Sequence, residues 1–458
     1  MTLHPTQSFV PGAIRRPSAR LTSRQAPSLG PLGADRDQPV LSKLANGMDV
    51  VLVPDRRSPI VAHMVWYRNG ATDDPLGKSG IAHFLEHLMF KGTERYGHGH
   101  FSDLLSSVGG NENASTSWEF THYVQRVPKE ALETCMIYEA DRMTNLLLSA
   151  PVLAMERDVV LSERGMIADS RPPELLREAL HAAAFPSHPC GRPIIGWRHE
   201  IETLNLDDAT AYYRRFYTPE NAILVVAGDI EPQAVLDLAD RIYGAVRPTG
   251  AALDRLVVSD PPARTRTVLT LSDPTVRQPL LKKAHVVPSI AAADHADAAA
   301  LEVLACLLGG EETSLLHRRL VLETRQATAM SAGYWGTVFR NRTLFNIDAS
   351  PASGVSLESL DAAVDDVIAT VQTDGFSQDD IARAKMQLVT RAIFDRDSHA
   401  TLAYIYGLVL SIGLPFSTVA TWPARIEAVT NDDLRRVAGM LDRQTGLSGH
   451  LTGAPHAG

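Results

Sequence analysis

Cysteine is scarce in this 458-residue chain, with three residues at 135, 190 and 306. Their odd number and wide spacing encode neither a disulfide framework nor a cysteine-based zinc site, and this usage fits a reducing compartment. Long apolar runs are missing as well. A long uncharged stretch, Thr401 to Ala424, is broken by Gly407, Gly413, Pro415 and Pro423, so no run of ~18 apolar residues remains to span a membrane. There is no excess of positive charge: 44 Lys and Arg stand against 53 Asp and Glu, a net −9. That balance repels phosphate backbones and sets nucleic acid aside as a partner. No compact apolar core with a small-residue cleavage site is found near Phe9 to Ile14, so export by a Sec signal is not supported. The first 34 residues carry Arg15, Arg16, Arg20 and Arg24 and no acid. They loosely mimic an organelle transit peptide, but their weak amphipathic periodicity reads better as a disordered arm or an extended translation start.

What is present is ordinary globular composition, 45% hydrophobic and 21% charged, which excludes collagen, coiled coil and wholesale disorder. At ~150 residues per domain the length allows about three domains. Structure begins near Pro39, where Asn46-Gly47 marks a turn before the strand Val50 to Val53. A strand over Ile60 to Tyr67 follows, then a helix around Ile81 to Phe90 that Ser79 caps and Gly92 ends. Next come a helix from Phe101 to Val108, a strand from Ala114 to Val127, and helices over Lys129 to Leu148 and Val152 to Ala168. Strict βαβ alternation is absent, which points to an α+β fold rather than a doubly wound sheet. Ile201-Glu202, Asp207-Asp208 and Gly228 recur as Ile426-Glu427, Asp432-Asp433 and Gly453, each offset by 225 positions. The same order of helix and strand at one offset indicates two homologous halves. We divide the chain into an arm (1–38), a first domain (39–246), a Pro- and Gly-bearing linker (247–263) and a second domain (264–458).

His83-Phe84-Leu85-Glu86-His87 carries the chemistry. Four positions along a helix bring His83 and His87 to one face, where both imidazoles reach one metal ion, and Glu86 stands beside them. A chain with 16 His and 21 Glu contains H-x-x-E-H by chance about 0.03 times. Catalytic zinc takes three protein ligands and keeps a fourth position for water, so a distant third ligand is expected. Glu163 is our candidate. It shares a helix face with Glu156, seven residues earlier, in a segment opened by Ser149-Ala150-Pro151. Taken alone, Glu163 reads as a solvated surface residue; the two histidines single it out.

The run from Gly80 to Thr93, together with Asn113-Ala114-Ser115-Thr116, Glu156 and Glu163, resembles the inverted-zincin peptidases of the pitrilysin/insulinase family (M16), which includes the mitochondrial processing peptidases. The resemblance covers residues 40 to 455. It implies two α/β-sandwich halves of the LuxS/MPP-like type, each an antiparallel-rich sheet covered by helices, together forming half of a clamshell. It further implies one Zn²⁺ per chain on His83, His87 and Glu163, with Glu86 as general base and Glu156 as a second catalytic-site carboxylate. Asn113, Ala114, Ser115 and Thr116 would form the sheet edge that takes the peptide substrate as an added strand. The implied activity is that of a zinc metalloendopeptidase cutting peptides or unfolded polypeptides with metal-activated water. The alternative is a non-catalytic structural or assembly subunit of the same fold.

One part of the family pattern is missing. Active members offer an Arg and a Tyr from the second half, in a stretch like R-x-x-x-G-L-x-Y, to hold the substrate carbonyl. Leu322 and Ala329 fall at those places, and Arg325 and Tyr334 are nine apart. Losing such a donor costs about 3 to 4 kcal/mol of transition-state stabilisation. By analogy with the two-subunit branch, a second M16 chain is the expected partner, either a heterodimer mate supplying Arg and Tyr or another copy of this chain. The compartment reads as cytoplasmic, with periplasm or an organelle as the alternatives.

Overall fold

A computed structural model describes residues 38–250, 255, 258–292 and 294–453. The arm read at 1–38 lies outside the described residues except for its last position. The Asn46-Gly47 turn joins β1 (Val40–Lys43) to β2 (Asp49–Pro54) as an antiparallel pair, with Gly47 at φ 93°. The chain continues through β3 (Ile60–Tyr67), α1 (Ile81–Leu88), α2 (His100–Ser107), β4 (Asn111–Thr116), β5 (Thr121–Pro128), α3 (Leu132–Asn145) and α4 (Ala150–Arg164). The expected single strand from Ala114 to Val127 is therefore corrected to a hairpin. Residues 117–120 turn, closed by the Ser117 N–H on the Phe120 carbonyl, and no Gly or Pro in Ser-Trp-Glu-Phe announces it. Then follow α5 (Pro172–Ala184), α6 (Arg198–Ile201), α7 (Leu206–Phe216), β6 (Ala222–Gly228) and α8 (Pro232–Ile242).

The later elements are β7 (Thr267–Ser272), β8 (Leu280–Pro288), α9 (His295–Gly309), β9 (Ala327–Tyr334) and β10 (Arg342–Pro351). After them come α10 (Leu357–Asp374), α11 (Gln378–Asp397), α12 (His399–Ser411), α13 (Thr418–Ala428), α14 (Asn431–Ala438) and β11 (Leu447–Thr452). Two sheets result among the described residues, ordered β1-β2-β6-β3-β5-β4 and β7-β11-β8-β10-β9. Apart from β1 they repeat one topology, each with a single parallel pair, β2–β6 and β7–β11. The repeated Asp-Asp seen at offset 225 has a structural reason. Asp208 and Asp433 are the third residues of α7 and α14, and each closes a capping box with its N-cap, Asn205 or Thr430.

Strands β2, β3 and β6 are apolar almost throughout because both faces of the first sheet are covered. Val50, Leu52 and Val65 face the helices of their own half, around Phe84, Leu85 and Met136. Val51, Met64 and Trp66 face the other way, onto Leu402, Ala403 and Tyr406 of α12. The exchange is mutual: Leu176, Leu180 and Ala184 of α5 pack on Ala284, Leu447 and Leu451 of the second sheet. Each half thus covers the other's sheet with a helix. The approach is close enough that a Cβ on Gly407 of α12 would lie 2.2 Å from the Trp66 ring. Arg255, inside the stretch read as linker, is part-buried against Asp73 and Glu119 of the first half, and Glu119 also accepts the Arg340 backbone N–H from the second.

Candidate metal centre

Helix α1 is short, and its start is fixed from a distance. The expected Ser79 cap is corrected: the N-cap is Gly80, at φ 86°, and Asp74 caps instead, accepting the N–H groups of Gly80 (2.7 Å) and Ala82 (3.1 Å). Ser79 faces elsewhere, its hydroxyl accepting from the Trp197 N–H. Gly80 is required here, since a Cβ would stand 2.4 Å from the Ile195 carbonyl. The apolar side of α1 (Ile81, Phe84, Leu85, Leu88) is buried in the core, which leaves the histidine side facing α4.

Both histidines turn Nε2 toward Glu163 of α4. Oε2 of Glu163 is 3.4 Å from Nε2 of His87 and 3.8 Å from Nε2 of His83. Ligand atoms of His83, His87 and Glu163 lie within 4.8 Å of one another, and among the described residues this is the one such grouping. Two imidazoles and one carboxylate, each part-buried, form a donor set suited to zinc with a coordination position left over. Glu156, two turns before Glu163, is not in this group. It sits behind His87, with Oε1 2.9 Å from Nδ1. A carboxylate there keeps the proton on Nδ1 and leaves the Nε2 lone pair for a metal. Burial opposes charge on His87, but its bonds to Glu156 and Glu163 outweigh this and push it up to about 9. Protons therefore compete with a cation for this imidazole near neutral pH.

Glu86 is buried beside the histidines, and Oε2 accepts a 2.6 Å hydrogen bond from the Thr116 hydroxyl. Burial chiefly pushes its carboxyl up to about 7; the Thr116 hydroxyl and His87 pull it back, while Glu163 adds to the rise. The Thr116 side chain is thus spent inside the site. Strand β4 is an outer strand of the first sheet, paired among the described residues with β5 alone. Asn113 is exposed and Ser115 part-exposed, while Ala114 and Thr116 point inward.

In the second half, Leu322 and Ala329 are exposed. Arg325 is exposed in the left-handed region at φ 53°. Tyr334 donates its hydroxyl to the Pro288 carbonyl of its own sheet, at 2.8 Å. The geometry does not bring Arg325 and Tyr334 together as a pair of donors. Two residues that sequence reasoning passed over also belong to the site. Asp74 caps α1, and Lys91, one helical turn after His87, lies 2.5 Å from Oε2 of Glu156; the spacing of four from His87 was its only signal.

Residues 49–197 match the family described as Insulinase (Peptidase family M16), and residues 203–388 match Peptidase M16 inactive domain. The zinc protease PqqE of Helicobacter pylori is 28% identical over 370 residues, covering 79% of this chain and 81% of that protein. The mitochondrial-processing peptidase subunit beta of Blastocladiella emersonii is 26% identical over 416 residues, covering 87% and 85%. A crystal structure of a Helicobacter pylori protease superposes with a TM-score of 0.84 at 25% identity, over 90% of this chain and 99% of that one. No described helix is long and apolar enough to cross a membrane. With both halves matched and the two sheets repeating one topology, this chain belongs to peptidase family M16.

Proposed function

We propose that the chain is a zinc-dependent metalloendopeptidase acting on peptides or unfolded polypeptides, with one zinc held by His83, His87 and Glu163. The observation that carries this reading is the convergence of those three side chains from α1 and α4 beside the buried carboxylate of Glu86. A zinc ion held there supplies Lewis-acid activation of water and of the peptide carbonyl. Glu86 takes the proton of the attacking water and returns it to the leaving amine. Glu156 fixes the tautomer of His87. The free edge of β4 offers backbone groups to an extended peptide, with Asn113 and Ser115 facing outward and Ala114 and Thr116 contributing main chain. The direct test is zinc content together with hydrolysis of an unstructured peptide; a zinc-loaded chain inert toward peptide alone and with any partner would overturn the peptidase reading.

Thr116→Val tests the base. The lost hydroxyl is a donor that favours the charged carboxylate, so its removal raises the Glu86 pKa further. The acid limb of the kcat/KM profile moves to higher pH, and the rate at pH values below that limb falls by roughly tenfold, the worth of a hydrogen bond to a charged group. An unchanged acid limb would exclude Thr116 from this role.

Completion of the site by a second M16 chain is part of the same proposal. The purified chain alone is expected to cleave weakly, and a homologous chain bearing Arg and Tyr but no H-x-x-E-H to raise the rate by ~10² to 10³. Arg325→Ala and Tyr334→Phe should leave the isolated chain's rate unchanged, because the Tyr334 hydroxyl is committed to Pro288. Robust hydrolysis by the isolated chain, lost on these two substitutions, would overturn the two-chain site and spare the zinc assignment.

A further inference from the structure

We propose that Lys91 is a positioning residue of the metal centre, holding Glu156 in the orientation from which Glu156 aligns His87. The inference rests on reading His83, His87 and Glu163 as a zinc site and adds a member to it. Lys91 closes the short turn Met89–Lys91 that continues α1. Its ammonium lies 2.5 Å from Oε2 of Glu156, and the other oxygen of that carboxylate, Oε1, lies 2.9 Å from Nδ1 of His87. Nε2 of the same imidazole faces Glu163. These three groups form one relay from Lys91 through Glu156 and His87 to the position a metal would take.

Each link has a physical reason. The Glu156 side chain is 7% exposed, so water cannot replace a lost partner there. The terminal torsion of a glutamate is broad. A carboxylate tied at one oxygen alone therefore swings and takes the His87 ring with it. A second tie, at Oε2, fixes the plane of the carboxylate and so the direction of the Nδ1–H bond. Lys91 is itself well placed to hold still. It precedes Gly92, at φ 97°, where a Cβ would meet the Tyr96 carbonyl at 2.6 Å. The turn beyond is braced by the Thr93 hydroxyl on Asp141, 2.5 Å, and by the Leu147 N–H on the Gly92 carbonyl. The lysine thus reaches Glu156 from backbone that is fixed on both sides.

The test uses zinc affinity, measured by competition with a chromophoric chelator, and the visible spectrum of the cobalt(II)-substituted protein. Lys91→Met keeps length and removes charge, Lys91→Gln is a second neutral variant, and Lys91→Arg keeps the charge. Lys91→Met and Lys91→Gln are expected to weaken zinc binding by about 10-fold, the lower end of what loss of a ligand-orienting partner costs, while Lys91→Arg stays near wild type. Lys91→Met and Glu156→Ala should shift the cobalt bands alike. In a Glu156→Ala background, Lys91→Met should add nothing, since its effect passes through Glu156. Melting of the metal-free variants shows which of them are folded and enter the comparison. Unchanged zinc affinity in the folded neutral variants, or the same weakening with Glu156 already gone, would overturn the inference and leave the zinc site standing. A wild-type chain that takes up no more zinc than His83→Ala would overturn the site itself, and Lys91's role with it.

Discussion

His83→Ala and His87→Ala proteins are expected to emerge from zinc loading and desalting with no stoichiometric metal, where the wild-type chain retains one zinc. Three side chains hold the proposed ion, and removing either imidazole leaves one imidazole and one carboxylate. Two such ligands do not hold zinc against water and chelators. The effect should be large because nothing nearby substitutes: Glu156 lies outside the ligand group and is held by Lys91, and Glu86 is turned to Thr116. Peptide hydrolysis should vanish with the metal, while the fold persists, since both histidines are part-exposed and the buried face of α1 is made of other residues. Elemental analysis and circular dichroism on the same samples check both halves of this expectation. Full zinc occupancy in the His83→Ala/His87→Ala double variant would remove the site assignment. Affinity should also fall on acidification, as protons take the His87 position that Glu156 and Glu163 favour for a cation.

Glu86→Gln is expected to separate binding from chemistry. The amide matches the carboxylate in size and still accepts the Thr116 hydroxyl bond, so zinc content and melting should match wild type. It cannot take a proton, and loss of a positioned general base costs about 10² to 10⁴ in rate. The sign of the pH dependence follows from the same group. Burial pushes Glu86 up to about 7; the base works only when deprotonated, so activity falls as pH drops through its pKa. A bound cation, by favouring the carboxylate, moves that limb to lower pH. The acid limb assigned to Glu86 should be absent from whatever residual rate the glutamine variant retains. A Glu86→Gln protein with near wild-type turnover would refute the mechanism while leaving the metal site in place.

Much of the site was legible because its signal is local. His83, Glu86 and His87 share a helix, and a spacing of four or three residues on a helix dictates which side chains meet. Glu156 and Glu163, seven apart and so two turns from each other, likewise share one face of α4. The repeat at offset 225 was legible because both copies use the same capping chemistry, with Asp208 and Asp433 at equivalent helical positions. Local signals also misled. Ser79 looked like the cap of α1, but a serine before a helix reports propensity alone, and Asp74 reaches the same N–H groups from a preceding turn. Residues 114 to 127 looked like one strand because β-formers continue through a turn that only hydrogen bonding between its ends reveals.

The sequence by itself determined the α+β class, the twofold repetition, and the residue types of the candidate metal site, because helix periodicity, turn chemistry and capping act over a few residues. Only the tertiary structure decided which groups converge across that distance. It brought Glu163 to the two histidines, turned Thr116 inward to Glu86 and set Lys91 against Glu156. It also exchanged α5 and α12 between the two sheets. Those contacts join segments tens to hundreds of residues apart, and they are selected by burial: two-sided apolar strands must be covered on both faces, and a carboxylate taken out of water must find a donor.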